Sequence, residues 1–329
     1  MRIHPYCVAA AFGLLLAGSV ALPAKADLIE FKAGVADRSN SDLAWWMAVE
    51  GGFFVQQGLK VDIVLGDGNR GLEALQAGRL DVIHRGLSNI VRVNRSGGDL
   101  RLIGSLGDKI RLVFFSAPGV RTAADLKGGV VAISNIGAES DIAVTLALQR
   151  LGLTRNDVTI KEYGGTRERL ASIKSGEAKA TMLAEPFTSL AREEGVHVLV
   201  DLAGEHIPWV FTGIAAQQSA TKTARDKLKR FMRATIEGNY LGFTDEKRAK
   251  DTLSKGLNVT DPKLLDISYR DYKQQTPLNA EISQKAAENT LVQFPGGSAR
   301  IEDYIDTSLL DEIKAEGFIA QMQQKYHRR

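Results

Sequence analysis

The chain has 329 residues, a formal net charge of +3 and a single cysteine. Its basic and acidic residues nearly balance, which indicates neither a nucleic acid nor an anionic membrane as a partner. One cysteine cannot build an internal disulfide framework, so the fold must depend on one large or two modest hydrophobic cores.

The first 26 residues have the pattern of a secretory signal peptide. Arg2 supplies the positive start, the apolar stretch 7–21 follows, and Ala24-Lys-Ala26 offers a small-x-small cleavage site. The stretch is shorter than the roughly 20 apolar residues of a comfortable transmembrane helix. We therefore expect export, cleavage after Ala26, and a mature chain that begins at Asp27 and contains no cysteine.

Strand-like and helical segments alternate from about residue 30 to residue 215, which is typical of a parallel α/β sheet. The predicted strands are 31–36, 59–65, 80–84, 102–106, 112–115, 130–134, 158–163, 178–183, 198–202 and 209–215. Predicted helices lie between them, among them 69–77, 166–175 and about 186–194. From Thr221 onward the chain is helical and amphipathic, and we expect this C-terminal region to pack on its own lobe.

Residues 28–90 and 126–188 resemble two copies of one unit, offset by about 98 positions. The clearest match aligns LEALQAGRLDV, which starts at Leu72, with LASIKSGEAKA, which starts at Leu170. Each is a short helix that ends near a glycine and is followed by a strand. Two such units predict two lobes with a cleft between them. We expect the apolar segments 112–117 and 209–215 to cross between a lobe of 27–112 plus 213–329 and a lobe of 113–212.

Several patterns associated with cofactors or catalysis are weak in this chain. Gly66-Asp-Gly-Asn-Arg-Gly71 satisfies G-x-G-x-x-G after a predicted strand, but the helix that follows is only about two turns long, so we interpret these glycines as turn residues. His84, His197 and His206 lack metal-ligand spacing, and there is no G-x-S-x-G motif. We therefore expect no cofactor, no metal and no catalytic residue.

Polar or glycine-rich loops follow several predicted strands, at the sheet edge where open α/β sheets bind ligands. Many of these loops precede helices, whose free N–H groups suit an oxyanion. The serines have an equal alternative as helix caps, and a tryptophan is more often a core residue than a ligand wall. The candidate ligand-binding residues are Ser39, Asn40, Ser41, Arg85, Gly86, Ser88, Asn135, Gly137, Ala138, Glu139, Ser140, Glu185 and Trp209.

The duplication also predicts which loops face each other across the cleft. We expect 39–41 opposite 135–140, and 85–89 opposite Glu185. Arg85 is the only fixed positive charge in these segments. If the ligand is anionic, Arg85→Ala should weaken its binding by about 1.5 to 3 kcal/mol, the usual contribution of a hydrogen bond to a charged group.

The chain resembles the substrate-binding proteins of ABC importers of the nitrate, sulfonate and taurine type. The resemblance covers roughly residues 28–245. The segments that carry it are Ala48-Val-Glu-Gly-Gly-Phe-Phe54, Gly58-Leu59 with Val61, Gly78-Arg-Leu-Asp-Val82, Ala124-Asp-Leu-Lys-Gly128, Leu151-Gly-Leu153 with Asp157-Val158, and Ala184-Glu-Pro186.

That resemblance implies a two-lobed periplasmic binding protein of the second structural class, with two hinge crossings. Such a protein captures a small solute in the periplasm and delivers it to a permease with its cytoplasmic ATPase, and we expect it to act as a monomer. A sulfonate or related small anion is one expected ligand; a small carboxylate or amide and a heterocyclic vitamin precursor are the others. Two further functions remain open: a sensory protein that docks on a receptor, and an enzyme similar to thiamine-pyrimidine synthase.

Two features depart from the family pattern. Lys179 stands where the family usually has an aspartate, so this half of the site is expected to differ. The predicted loops also contain several carboxylates, including Glu139 and Glu185, which disfavour a bare dianion as the ligand.

Overall fold

The computed structural model describes residues 27–36, 38–65, 68–296 and 300–327. The predicted signal peptide and the first two residues of the G-x-G-x-x-G motif lie outside these ranges. In the described residues the fold consists of two mixed five-stranded sheets with helices packed around them. The expected α/β architecture with two lobes is thus confirmed.

The strands are β1 (Ile29–Val35), β2 (Leu59–Leu65), β3 (Val82–Arg85), β4 (Leu100–Lys109), β5 (Val113–Ser116), β6 (Val130–Ile133), β7 (Thr159–Glu162), β8 (Ala180–Leu183), β9 (His197–Asp201) and β10 (Pro208–Gln217). The first sheet has the order β2-β1-β3-β10-β4, and the second has the order β7-β6-β8-β5-β9. In each sheet the first three strands of this order are parallel to one another. The fourth strand, β10 in the first sheet and β5 in the second, is antiparallel to both of its neighbours.

The helices of the two repeated units are α1 (Leu43–Glu50), α2 (Phe53–Gln56), α3 (Gly68–Gln76), α4 (Leu87–Arg95), α5 (Ala123–Leu126), α6 (Glu139–Arg150), α7 (Thr166–Ser175) and α8 (Phe187–Glu193). The C-terminal helices are α9 (Gln218–Thr223), α10 (Arg225–Thr244), α11 (Glu246–Leu257), α12 (Pro262–Gln275), α13 (Gln284–Leu291), α14 (Ser308–Ala315) and α15 (Phe318–His327). Short 3₁₀ turns occur at Asn40–Asp42, Arg155–Asp157 and Ile301–Asp303.

The predicted duplication is present in the topology. β2-β1-β3 of the first sheet corresponds to β7-β6-β8 of the second, and β3 and β8 begin 98 residues apart, at Val82 and Ala180. The glycines that follow α3 and α7 adopt a left-handed conformation, with φ of 68° at Gly78 and 81° at Gly176. This conformation has little cost for glycine, which explains why both helices end there.

The chain passes between the two sheets twice. It leaves the first sheet after Lys109 and enters the second at Val113, and it returns between Asp201 and Pro208. The two connections, 110–112 and 202–207, therefore come directly before the segments expected to cross: 112–117 mostly forms β5 and 209–215 lies within β10. The lobe boundaries at 112 and 212 stay a prediction.

The C-terminal helices extend the core of the first lobe. Phe231 of α10 stacks on Phe31 of β1, with ring centroids 4.5 Å apart, and also contacts Trp45 of α1. These residues belong to one buried cluster that includes side chains of α11, α12, α14 and α15. The expectation that the helical region packs on its own lobe is confirmed. No helix in the described part of the chain is long and apolar enough to cross a membrane.

Candidate ligand-binding site

The loops that follow β1, β3, β6 and β8 lie at the carboxyl ends of their parallel strands. In both sheets this is the edge from which the next helix begins, so the N–H groups of the first turns of α4 and α6 lie there. Most of the candidate residues fall into two polar clusters, one around Glu139 and the other around Arg111.

In the first cluster the carboxyl group of Glu139 bridges the two lobes. Its Oε1 accepts a hydrogen bond from the backbone N–H of Ser88 at 3.3 Å, and its Oε2 accepts from Ser88 Oγ at 3.1 Å and from Trp209 Nε1 at 2.6 Å. Ser88 is in the first turn of α4, Glu139 begins α6, and Trp209 lies at the start of β10. Three donors from two other elements therefore converge on one carboxyl group.

Gly86 makes this approach possible. A Cβ at this position would lie 2.0 Å from Glu139 Oε1 and 2.5 Å from the carbonyl oxygen of Phe211. Burial raises the pKa of Glu139 to about 8, while the hydrogen bonds from Trp209 and Ser88 lower it. Burial has the larger effect because it removes the charged form from water. The candidate residues Gly86, Ser88, Glu139 and Trp209 are thus in one place.

The rest of the loop before α6 is held by its own hydrogen bonds. Ser140 Oγ accepts from the backbone N–H of Ser134 at 2.9 Å, and the N–H of Ala138 donates to the carbonyl oxygen of Asn135 at 3.1 Å. Gly137 has a φ of 77° and donates to Asp141 Oδ2 at 2.8 Å. These contacts shape the loop, and Glu139 is the member of it that reaches the other lobe.

In the second cluster Arg111 is the central group. It lies in the first crossing and is only 3% exposed. Its Nη1 donates to Ser41 Oγ at 2.9 Å and lies 3.4 Å from Asp271 Oδ2, and its Nη2 donates to Asn40 Oδ1 at 2.7 Å. Its Nε has no hydrogen-bond partner among the described residues.

The loop after β1 is ordered around this arginine. Ser39 caps the short 3₁₀ turn through a capping box with Asp42, so its alternative role as a helix cap is confirmed. Asn40 Nδ2 donates to Asp271 Oδ2 at 2.8 Å, and Asp42 Oδ1 lies 2.5 Å from His84 Nδ1. Asn40 and Ser41 are fully buried, and the contacts above direct their side chains at Arg111 and α12.

A cavity of about 340 Å³ lies next to Arg111, between the second lobe and α12 of the first. The second lobe contributes Glu185, Thr188, Ser189 and Arg192 to its wall, and α12 contributes Asp271 and Gln275. Glu185 accepts hydrogen bonds from the N–H and Oγ of Ser189, both at 3.0 Å. Burial raises the pKa of Glu185, and the nearby charge of Asp271 raises it further.

Sequence reasoning did not select Arg111, Asp271 or Gln275 as site residues. A charged residue directly before the apolar segment 112–117 was a signal for Arg111. For α12 there was no such signal, because an amphipathic pattern shows which face is buried but not what it packs against.

Two sequence-based interpretations change in the structure. The predicted pairing of loops is wrong: residues 85–89 meet the loop 135–140 through Ser88 and Glu139, and residues 39–41 meet Arg111 and α12. Lys179, expected to alter the site, donates to the carbonyl oxygens of Asp125 and Lys127 at 2.7 and 3.3 Å. It therefore stabilises the end of α5 and the turn after it.

Arg85 differs from the role we expected for it. Its side chain is 6% exposed, it donates to the carbonyl oxygen of His84 at 3.3 Å, and its guanidinium lies beside Gly71 of α3. Burial lowers its pKa to about 10. The arginines that line the cavity are Arg111, Arg192 and Arg270. Within the described residues no group of three or more His, Cys, Asp or Glu side chains could hold a metal ion.

Comparison with known proteins supports the resemblance seen in the sequence. A family model described as NMT1/THI5 like matches residues 43–245. The riboflavin-binding protein RibY of Chloroflexus aurantiacus is 26% identical over 154 residues, which cover 46% of this chain and 43% of RibY. The chain therefore aligns with less than half the length of this curated relative.

Two solved structures show the same fold. A protein of Bordetella bronchiseptica RB50 is 19% identical, with a TM-score of 0.75 over 88% of this chain and 98% of its own. The alkanesulfonate-binding protein SsuA of Xanthomonas axonopodis pv. citri, bound to MOPS, is 18% identical, with a TM-score of 0.68 over 85% of this chain and 99% of its own. This fold agrees with the two-lobed fold that the resemblance in the sequence implies.

Proposed function

This chain belongs to the NMT1/THI5-like family, and on that premise we propose that it is the solute-binding protein of an ABC importer. It captures a small molecule between its two lobes in the periplasm and delivers it to a permease with a cytoplasmic ATPase. The similarity to SsuA and to RibY supports this proposal, since both are named as binding proteins of small molecules.

The observation that carries the proposal is the interlobe cavity with a buried arginine on its wall. Its volume of about 340 Å³ is within the range of small-molecule pockets. Arg111 Nε is a buried donor without a partner among the described residues, and it belongs to a group that is always charged. A solute with an anionic group, such as a sulfonate or a carboxylate, would satisfy this donor.

The test is calorimetry with a panel of small sulfonates, carboxylates and pyrimidines on the mature protein and on Arg111→Gln. We expect at least one class to bind, and Arg111→Gln to weaken it by about 1.5 to 3 kcal/mol, the contribution of a hydrogen bond to a charged group. Circular dichroism checks that the variant is folded.

Arg192→Gln is the matched control. Arg192 also lines the cavity, but it forms an ion pair with Asp201 at 2.7 Å and is 47% exposed, so its replacement should change affinity little. If no compound of any class bound saturably, or if Arg192→Gln had the larger effect, the proposal would fail.

The role in transport needs a separate measurement, because a receptor-docking sensor would bind its ligand in the same way. We expect the loaded protein to stimulate ATP hydrolysis and uptake by its permease in proteoliposomes. We also expect the bound solute to be recovered chemically unchanged, as befits a carrier. Turnover of the solute by the isolated protein would favour an enzyme instead.

A further inference from the structure

The wall of the cavity around Arg111 has several hydrogen-bond acceptors. Two carboxyl groups face it from different lobes, Glu185 at the start of the α8 region and Asp271 on α12. They are close enough for the charge of Asp271 to raise the pKa of Glu185. An oxyanion placed between them would be repelled, and the repulsion from Asp271 is reduced by its ion pair with Arg111 at 3.4 Å.

Two further oxygen atoms on this wall are buried and lack partners. Thr188 is 3% exposed and Gln275 is 8% exposed, and neither Thr188 Oγ1 nor Gln275 Oε1 has a hydrogen-bond partner in the described part of the chain. Buried polar atoms in folded proteins nearly always have partners, and an unsatisfied one costs about 1 to 3 kcal/mol. Both residues line the same cavity as the two carboxyl groups.

We propose that Glu185, Thr188, Asp271 and Gln275 form an acceptor subsite for N–H donors, so that the solute carries an amine or an N–H-bearing heterocycle in addition to its anionic group. This inference rests on the proposed solute-binding function and specifies its ligand class. Each carboxyl oxygen of Glu185 already accepts one bond from Ser189 and keeps a second lone pair for the solute. Arg111 Nε binds the anionic end of the same molecule.

The test compares pairs of compounds that differ only in the donor: ethanesulfonate with taurine, propanoate with β-alanine, and pyrimidine with aminopyrimidine. We expect the donor-bearing member of at least one pair to bind about tenfold or more tightly, which corresponds to about 1.4 kcal/mol. In Glu185→Gln the ratio of the two affinities should fall toward one, because the negative charge of the acceptor is lost. Glu194→Gln should keep it, since Glu194 pairs with Lys174 on the surface.

Thr188→Val gives a second readout that does not depend on a charge. The variant removes a buried hydroxyl without a partner and keeps the shape of the side chain, so its melting temperature should be unchanged or higher. Its preference for donor-bearing compounds should nevertheless fall. If Thr188 had only a structural role, its replacement would not reduce the preference for donor-bearing compounds while the melting temperature is kept.

The two hypotheses fail in different ways. Equal or tighter binding of the donor-free members by the wild-type protein would overturn the acceptor subsite and leave the solute-binding function intact. An unchanged preference in both Glu185→Gln and Thr188→Val would also overturn the subsite. Absence of saturable binding by all six compounds would count against the solute-binding function itself.

Discussion

At the scale of single residues, Glu139 shows how burial and hydrogen bonding oppose each other. Three donors from Ser88 and Trp209 favour its charged form, yet burial raises its pKa to about 8. The folded protein thus binds this proton more tightly than the unfolded chain does. The contribution of the protonated group to stability is complete below a pH of about 4.5 and is lost as the pH rises to about 8.

We therefore predict that the free energy of unfolding decreases less with rising pH in Glu139→Gln than in the wild type. Between about pH 5 and 8, the free energy of unfolding of the wild type should fall more steeply than that of the variant, by at most about 1.4 kcal/mol per pH unit. Urea unfolding at several pH values measures this. The exposed Glu73→Gln should follow the wild type, and parallel curves for Glu139→Gln and wild type would contradict the prediction.

At the scale of elements, α1 and α10 pack closely against each other at Gly238. A Cβ on Gly238 would lie 2.2 Å from the carbonyl oxygen of Ala44 and 2.9 Å from the backbone nitrogen of Ala48. These are main-chain atoms of α1, which cannot move aside as a flexible side chain can. Gly242, one turn further along α10, would place its Cβ 3.1 Å from the hydroxyl of Tyr272.

We predict that Gly238→Ala destabilises the protein by about 1 to 3 kcal/mol, the usual cost of overpacking, despite the better helix propensity of alanine. Gly242→Ala is the control in the same helix and should remain within about 1 kcal/mol of the wild type, because a side chain can adjust there. Thermal and urea unfolding of both variants decide the matter. If Gly238→Ala changed the free energy of unfolding as little as Gly242→Ala, the contact between α1 and α10 would tolerate a methyl group.

Elements with strong local signals were predictable from the sequence, and their partners were not. The segments 59–65 and 166–175 agree with β2 and α7, because alternation and the glycine at 176 mark them directly. Arg111 and α12 were missed because their importance comes from contacts across 70 or more residues of sequence. Such contacts depend on tertiary packing, which a local pattern does not encode.

At the scale of the whole molecule, the described residues form few polar contacts between the two lobes besides the crossings. Glu139 binds Ser88, and Lys263 of α12 forms an ion pair at 2.6 Å with Glu193 of α8. The latter pair is largely exposed, with 66% and 44% of the side chains accessible, and such pairs contribute at most about 1 kcal/mol. The exposed pair therefore adds little to the association of the lobes, and we expect joined and separated lobes to be in equilibrium in solution.

We predict that a bound solute shifts this equilibrium toward the arrangement in the structure. A molecule that contacts Arg111 from the first crossing, Asp271 on one side and Glu185 on the other gains all three contacts only when the lobes are together. Differential affinity for the closed form is what moves such an equilibrium. Solution scattering should thus show a smaller radius of gyration at saturating solute. Arg111→Gln should show no such change at the same solute concentration, and an unchanged wild-type profile at saturation would show that binding does not close the lobes.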